Sequence, residues 1–305
     1  MHAPADNARA MVLGSLAGDS LALGAHWIYD QRELARTFGR LETLAAPGPG
    51  SFHPARTAGE FTHYGDQTLV LLKSLARQRN FDVSAFSADW RAMFQGGYTG
   101  YVDRATQATL NQLQNGWEPL DAGSVSDDLA GAARISPLVF MLRREPESAV
   151  AACRLQTTTT HNRAVVIDAA EVFARTALAA LEGTPPVQGM EQALAGRFPG
   201  SPLHGWFAAG MDAAGRDSVE AIAVFGQSCH ADGAFQSTVQ LIARHQDAPS
   251  EALVDSVMAG GDSAARNLLV GMVLCAWKGL DDRLQTWVNG LRERDLVETL
   301  LEEIA

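Results

Sequence analysis

The chain has 305 residues, with 24 Lys+Arg against 35 Asp+Glu, and a formal charge of −11 with histidines neutral. At 47% hydrophobic and 19% charged it is too apolar for a disordered chain, and without a basic run it is a poor ligand for nucleic acid, which clustered Lys and Arg must grip. Residues 1–6 lack a basic segment leading into an apolar one, and no run of roughly 18 apolar residues occurs, so neither a signal peptide nor a membrane span is expected and a cytoplasmic protein is.

Helical periodicity dominates from the start. Residues 8–23 place Met11, Val12, Leu16, Leu21 and Leu23 among Ala and Gly, which predicts a tightly packed helix. Residues 45–59 are rich in Gly and Pro and read as a loop. A second strong helix begins at Asp66, with Leu69, Val70, Leu72, Leu75 and Ala76 on its buried side. Further helices are predicted over 85–95, 104–115, 130–143 and 163–181, followed by a loop over 183–188. The remaining predicted helices are 190–197, 218–225, 235–244, 250–258, 263–278, 281–291 and 295–303. No strand alternation and no fixed repeat interrupt this series. The expectation is one all-α domain over 1–305, of about a dozen helices. Cys153, Cys229 and Cys275 stand far apart without a Cys-x-x-Cys pair, so they are expected as buried thiols.

Five polar clusters break the apolar pattern, each near a predicted helix end. The first holds Asp19, flanked by Gly18, and runs on to His26; a carboxylate in an apolar helix is costly unless paired. The second is Thr62-His63-Tyr64-Gly65-Asp66-Gln67-Thr68, where Asp66 suits a helix N-cap but His63 and Tyr64 exceed what a cap needs. The third runs from Asp127 and Asp128 to Arg134, an arginine among Ala and Gly of the kind that holds a carboxylate or phosphate. The fourth is the hydroxyl-rich 157–160 followed by His161. The fifth is Gly260-Gly261-Asp262-Ser263-Ala264-Ala265-Arg266, whose glycines expose N–H groups suited to an anion.

Gly-Asp near the start, Gly-Asp-Gln-Thr at 65–68, Gly-Ala-Ala-Arg-Ile-x-Pro at 131–137, Thr-His at 160–161 and Gly-Gly-Asp-Ser at 260–263 together resemble the ADP-ribosylglycohydrolase family, the family of the dinitrogenase-reductase-activating glycohydrolase and J1 crystallin. The resemblance extends over about residues 11–279. It implies an all-α domain with helix N-termini meeting at a central cleft, where typical members use two divalent metals to remove ADP-ribose from a protein side chain.

The metal motifs are reduced. Gly65-Asp66-Gln67-Thr68 stands where the family usually has Thr-Asp-Asp-Thr, and Asp262-Ser263-Ala264-Ala265 where it has Asp-x-Asp-Thr. His26 replaces a typical glutamate. Paired hard cations want several carboxylates, so Asp66 and Asp262 are expected to hold at most one weak Mg²⁺, with no dinuclear centre. Arg266, one helical turn after Asp262, is expected to take the metal's place between the two aspartates, with His63 on the rim.

The first expectation for function is a divergent hydrolase of an ADP-ribosyl or related N- or O-glycosidic bond. Asp66, His63, His26 and Asp262 are its candidate catalytic residues. Asp19, Tyr64, Asp128, Arg134, His161, Gly260, Gly261, Ser263 and Arg266 are its candidate ligand contacts. The alternatives are a non-catalytic ADP-ribose- or nucleotide-binding protein of crystallin type, and another small-molecule enzyme on the same scaffold.

Overall fold

A computed structural model describes residues 4–305; Met1–Ala3, part of the opening stretch read above, lie outside the described residues. The helices are, in order, α1 (Pro4–Leu23), α2 (Gln31–Phe38), α3 (His63–Gln78), α4 (Val83–Gln95), α5 (Arg104–Gln114), α6 (Ala130–Ala133), α7 (Ser136–Met141), α8 (Pro146–Thr158) and α9 (Ala164–Leu181). They continue as α10 (Pro186–Leu194), α11 (Leu203–Asp212), α12 (Ser218–Phe225), α13 (Ala231–Arg244), α14 (Pro249–Met258), α15 (Ser263–Lys278), α16 (Asp282–Gly290) and α17 (Arg294–Glu303). Among the described residues there is no strand, only isolated bridges at Ser124–His161 and Asp128–His230. The fold is all-α, and no described helix is long and apolar enough to cross a membrane.

Local chemistry sets many of the helix starts. The Asp82, Asp103, Asp217 and Asp281 carboxylates each accept a backbone N–H from the first turn of the helix they precede. The segment 130–143, expected as one helix, divides into α6 and α7. Pro137 lies in the first turn of α7, where it supplies no N–H to bond back into α6. Three helices escaped the periodicity reading. The short α2 leaves only Leu34 buried, α8 buries mostly small residues, and α11 buries only Leu203 and Gly210.

The centre of the molecule is the pair α1 and α15, buried along nearly their whole lengths in one contiguous core. Glycine lets their backbones touch. A Cβ on Gly14 would lie 2.3 Å from Cys275 Sγ, and one on Gly271 would lie 2.5 Å from the Gly14 carbonyl oxygen. Polar side chains stitch the same seam: Ser15 Oγ donates to Leu268 O at 2.8 Å, and Asn267 Nδ2 to Gly18 O at 3.1 Å. This seam fixes the C-terminal half of α1, which carries Asp19, beside the start of α15, which carries Asp262.

Candidate active site

Thr62 caps α3, one residue before the helix begins at His63. Its Oγ1 accepts from Tyr64 N at 3.2 Å and donates to Asp19 Oδ1 at 2.6 Å, while its own N–H donates to Asp19 Oδ2 at 2.8 Å. Asp19 therefore ties α1 to the start of α3. Gly65 permits that approach, since a Cβ there would lie 2.4 Å from Asp19 Oδ2. Burial pushes the Asp19 carboxyl up to about 7 against the pull of its Thr62 bonds.

Asp66 is thus not the cap but a first-turn residue, and its carboxylate turns outward. It accepts from the Arg56 guanidinium and, at 2.5 Å, from the Tyr98 hydroxyl. Its sequence-level partner Gln67 points inward, accepting from Trp90 Nε1 at 2.7 Å and from Arg134.

Asp262 caps α15 and is almost fully buried. Its Oδ1 faces His26 Nε2 at 3.2 Å, and its Oδ2 accepts from the Tyr64 hydroxyl at 2.9 Å. Burial alone raises such a carboxyl, but the His26 and Tyr64 donors outweigh it and hold Asp262 ionised. Asp128 and Cys229 complete this group, with one oxygen or sulfur of each of the three within 4.8 Å of the others. Asp128 accepts the Ala130 N–H at 2.8 Å. Burial first, and then the neighbouring Asp262 charge, lifts the Asp128 carboxyl well above its ordinary range.

Several expected ligand groups prove to be structural. Arg266 does not bridge Asp66 and Asp262. Fully buried, it donates to Gly260 O at 2.6 Å and Ser256 O at 3.1 Å, satisfying carbonyls at and just beyond the end of α14. The triangle expected from sequence fails because Asp66 is already paired with Arg56, and the Asp262 oxygens already have His26 and Tyr64 as partners. Arg134 holds Gln67 and Thr160 within the core instead of a ligand. The glycine N–H groups are also spent: Gly260 N donates to Val257 O and Gly261 N to Ile28 O, each at 2.9 Å, so they offer no anion nest. Both glycines have φ of 70–80°, and a Cβ on Gly261 would lie 2.1 Å from Gln227 O. Ser263 is buried with its hydroxyl unpartnered, and His161 is buried with Nδ1 3.0 Å from Thr160 Oγ1 and Nε2 unpartnered. Arg266→Ala is expected to destabilise the protein by about 2–5 kcal/mol, through unpaired carbonyls and a cavity. It is expected to create no Mg²⁺ affinity; urea denaturation and a calorimetric Mg²⁺ titration measure the two separately.

His26, His53 and His63 meet above Tyr64, with Trp27 stacked on His26 at a ring-centroid distance of 4.3 Å. Trp27 adopts a positive φ of 65°, which turns its ring over the histidines. Tyr101 packs edge-on against Trp27 and His63, and Phe52 against Trp27. The half-exposed rings of Tyr29 and Phe52 form the mouth of an adjoining cleft of about 240 Å³, floored by His26 and Trp27. Flat aromatic walls of this kind suit a nucleobase or sugar face. Sequence reading missed His53, Asp103, Arg56 and Tyr98, and it expected Cys229 as a buried thiol, whereas Cys229 is half-buried beside Asp128 and Asp262. His53 and Arg56 lie in the Gly- and Pro-rich loop, where no periodicity marks a side chain as buried.

The residues at the family's metal positions do not fit a dinuclear centre. Asp66 is paired with Arg56, Gln67 is neutral and bonded to Trp90, Asp262 is bonded to His26 and Tyr64, and Ala264 is buried and apolar. That leaves too little carboxylate charge, and too few free oxygens, to hold two hard divalent ions.

The sequence model of the family described as ADP-ribosylglycohydrolase matches residues 1–305. Crystallin J1B of Tripedalia cystophora is 25% identical over 315 aligned positions, covering 96% of this chain and 94% of that protein. Crystallin J1A of the same animal is 25% identical, covering 93% of this chain and 91% of its own. A solved structure titled ADP-ribosylglycohydrolase-related protein complex superposes with a TM-score of 0.75 at 21% identity, covering 99% of this chain and 97% of that one.

Proposed function

Because the chain belongs to the ADP-ribosylglycohydrolase family, we propose that it hydrolyses the glycosidic bond of an ADP-ribosyl or related ligand with a carboxyl pair in place of two metals. The observation that carries this reading is the geometry of the Asp128–Asp262 pair, two buried carboxyls with an oxygen of each within 4.8 Å, where burial and the Asp262 charge raise Asp128 while His26 and Tyr64 lower Asp262. Glycoside cleavage asks for that division of labour: an acid to protonate the departing group and a negative charge to stabilise an oxocarbenium-like transition state. Asp128 is 8% exposed against 1% for Asp262, so Asp128 presents the proton and Asp262 supplies the charge from beneath. His26 and Tyr64 are positioning residues that keep Asp262 ionised. Tyr29, Phe52 and Trp27 offer the stacking surface for base or ribose.

The test is release of ADP-ribose from N-linked arginine and O-linked serine ADP-ribosyl peptides, with and without added Mg²⁺. Hydrolysis independent of Mg²⁺ and lost in Asp128→Asn is expected. Absence of turnover on either linkage, or strict dependence on Mg²⁺, overturns it. The pH profile follows from the same pair. The rate falls in acid as Asp262 gains its proton, and falls in base as Asp128 loses its own. Since Asp128 is lifted well above the ordinary carboxylate range, the alkaline limb of kcat/KM lies above that range too.

A second reading is ligand binding without turnover. It is favoured by Asp66, whose charge Arg56 and Tyr98 have already consumed. Calorimetric binding of ADP-ribose by a protein that cleaves neither peptide distinguishes it.

A further inference from the structure

The geometry points to a tri-histidine site for one borderline divalent transition-metal ion, of the zinc class, formed by His26, His53 and His63. These residues come from three segments: the turn after α1, the long connection between α2 and α3, and the first position of α3. All three are at most 3% exposed. Their ring centroids stand 5.1, 5.6 and 5.9 Å apart, a nearly equilateral triangle, and their planes are inclined to one another by 30° or less. One nitrogen of each ring lies within 4.8 Å of the other two.

The far edges of two rings face carboxylates. His26 Nε2 lies 3.2 Å from Asp262 Oδ1, and His63 Nε2 lies 3.3 Å from Asp103 Oδ2. The Asp262 hydrogen bond fixes the His26 tautomer, with the proton on Nε2 and the lone pair on Nδ1, and the nearby Asp103 charge favours the same arrangement in His63. His26 Nδ1 then accepts the Nε2 proton of His53 at 2.9 Å. That leaves His53 Nδ1 and both ring nitrogens of His63 buried with no hydrogen-bond partner, His63 Nε2 approaching Asp103 only as a close contact. With one proton on each ring, the three histidines hold three lone pairs and only the His53 N–H turned into the cluster, a deficit of donors in a site closed by Trp27 and Tyr64.

A cation removes the deficit. Neutral imidazoles suit zinc, nickel, copper or cobalt and not magnesium. The two outer carboxylates balance a double positive charge. On binding, His53 shifts its proton from Nε2 to Nδ1, so its Nε2 lone pair becomes available and that ring releases no proton. None of this depends on hydrolysis, although His26 links the two sites, its Nε2 facing Asp262 of the carboxyl pair.

The test uses the untagged full chain, stripped with chelator and dialysed, then titrated calorimetrically with Zn²⁺ and, separately, Mg²⁺. Co²⁺ is added as a spectroscopic probe. One equivalent of Zn²⁺ is expected, with no Mg²⁺ heat, and the Co²⁺ form should show the intense visible absorption of a low-coordinate nitrogen site. His53→Gln should weaken Zn²⁺ binding by more than about 100-fold. Asp103→Asn, which keeps an oxygen for the α5 cap, should weaken it by roughly 10- to 100-fold through the outer sphere. Failure of the stripped wild-type chain to bind Zn²⁺ overturns the site, whatever the variants do. So does Zn²⁺ binding left unchanged by His53→Gln, which assigns the ion to surface histidines such as His204 or His230.

Discussion

Asp262→Asn is expected to lower kcat/KM by about 10²- to 10⁴-fold on any substrate the wild-type chain cleaves, the range for loss of a positioned ionisable group. The substitution keeps the size of the side chain and an oxygen to cap α15, but removes the negative charge. Asn has one carbonyl oxygen for two donors, His26 Nε2–H and the Tyr64 hydroxyl, so one of them is orphaned at a cost of about 1–3 kcal/mol. A second readout separates catalysis from this loss of stability. Burial and the Asp262 charge together raise the Asp128 carboxyl; without that charge its pKa falls. The alkaline limb of residual activity must therefore move to lower pH in Asp262→Asn. A variant whose rate drops while the limb stays in place would show that the two carboxyls do not share a proton, and the proposed division of roles would fail with it.

Gly271→Leu is expected to abolish native packing, and Gly271→Ala to cost about 1–3 kcal/mol or more. The clash at Gly271 is with backbone, which has no rotamer to escape into. Its Cβ would sit 2.5 Å from Gly14 O and 2.8 Å from Gly14 C. Relief requires α1 and α15 to part, and that opens the seam holding Ser15, Asn267 and Gly18 together. Because α1 carries Asp19 and α15 carries Asp262, separation of the two also loosens the site. Gly205 is the matched control: it lies in α11, exposed, with nothing within 4 Å of its Cβ position. Gly205→Ala should raise stability by about 0.4–1 kcal/mol by restricting the unfolded chain. Urea midpoints of the three variants at constant slope decide the matter.

The all-α class was legible because helix burial repeats every three to four residues, and a 16-residue element such as α15 samples that repeat several times. Helix starts marked by Asp or Thr were legible to within a few residues for the same local reason. Short elements were not. In α2 only Leu34 is buried, and a single apolar residue carries no period. The reading of 130–143 as one helix gave Pro137 too little weight.

By itself, the sequence determined the helical class, the family resemblance, and the fact that Asp19, His26, His63, Tyr64, Asp128 and Asp262 belong to polar clusters that break the apolar pattern near helix ends. It also showed that two metal-motif acids are replaced by Gln67 and Ala264. Only the tertiary structure decided the pairings. Asp66 was expected beside Asp262, yet it turns to Arg56 and Tyr98; Arg266 was expected between the aspartates, yet it closes the carbonyls at the end of α14. Asp262 found its partners in His26 and Tyr64, 236 and 198 residues away, and His53 joined from a loop with no pattern to announce it. The physical reason is range. Helix propensity and burial period are settled within a few turns of chain, whereas a buried charge takes whichever donor packing delivers to it, and that donor comes from any segment the fold brings within about 3 Å.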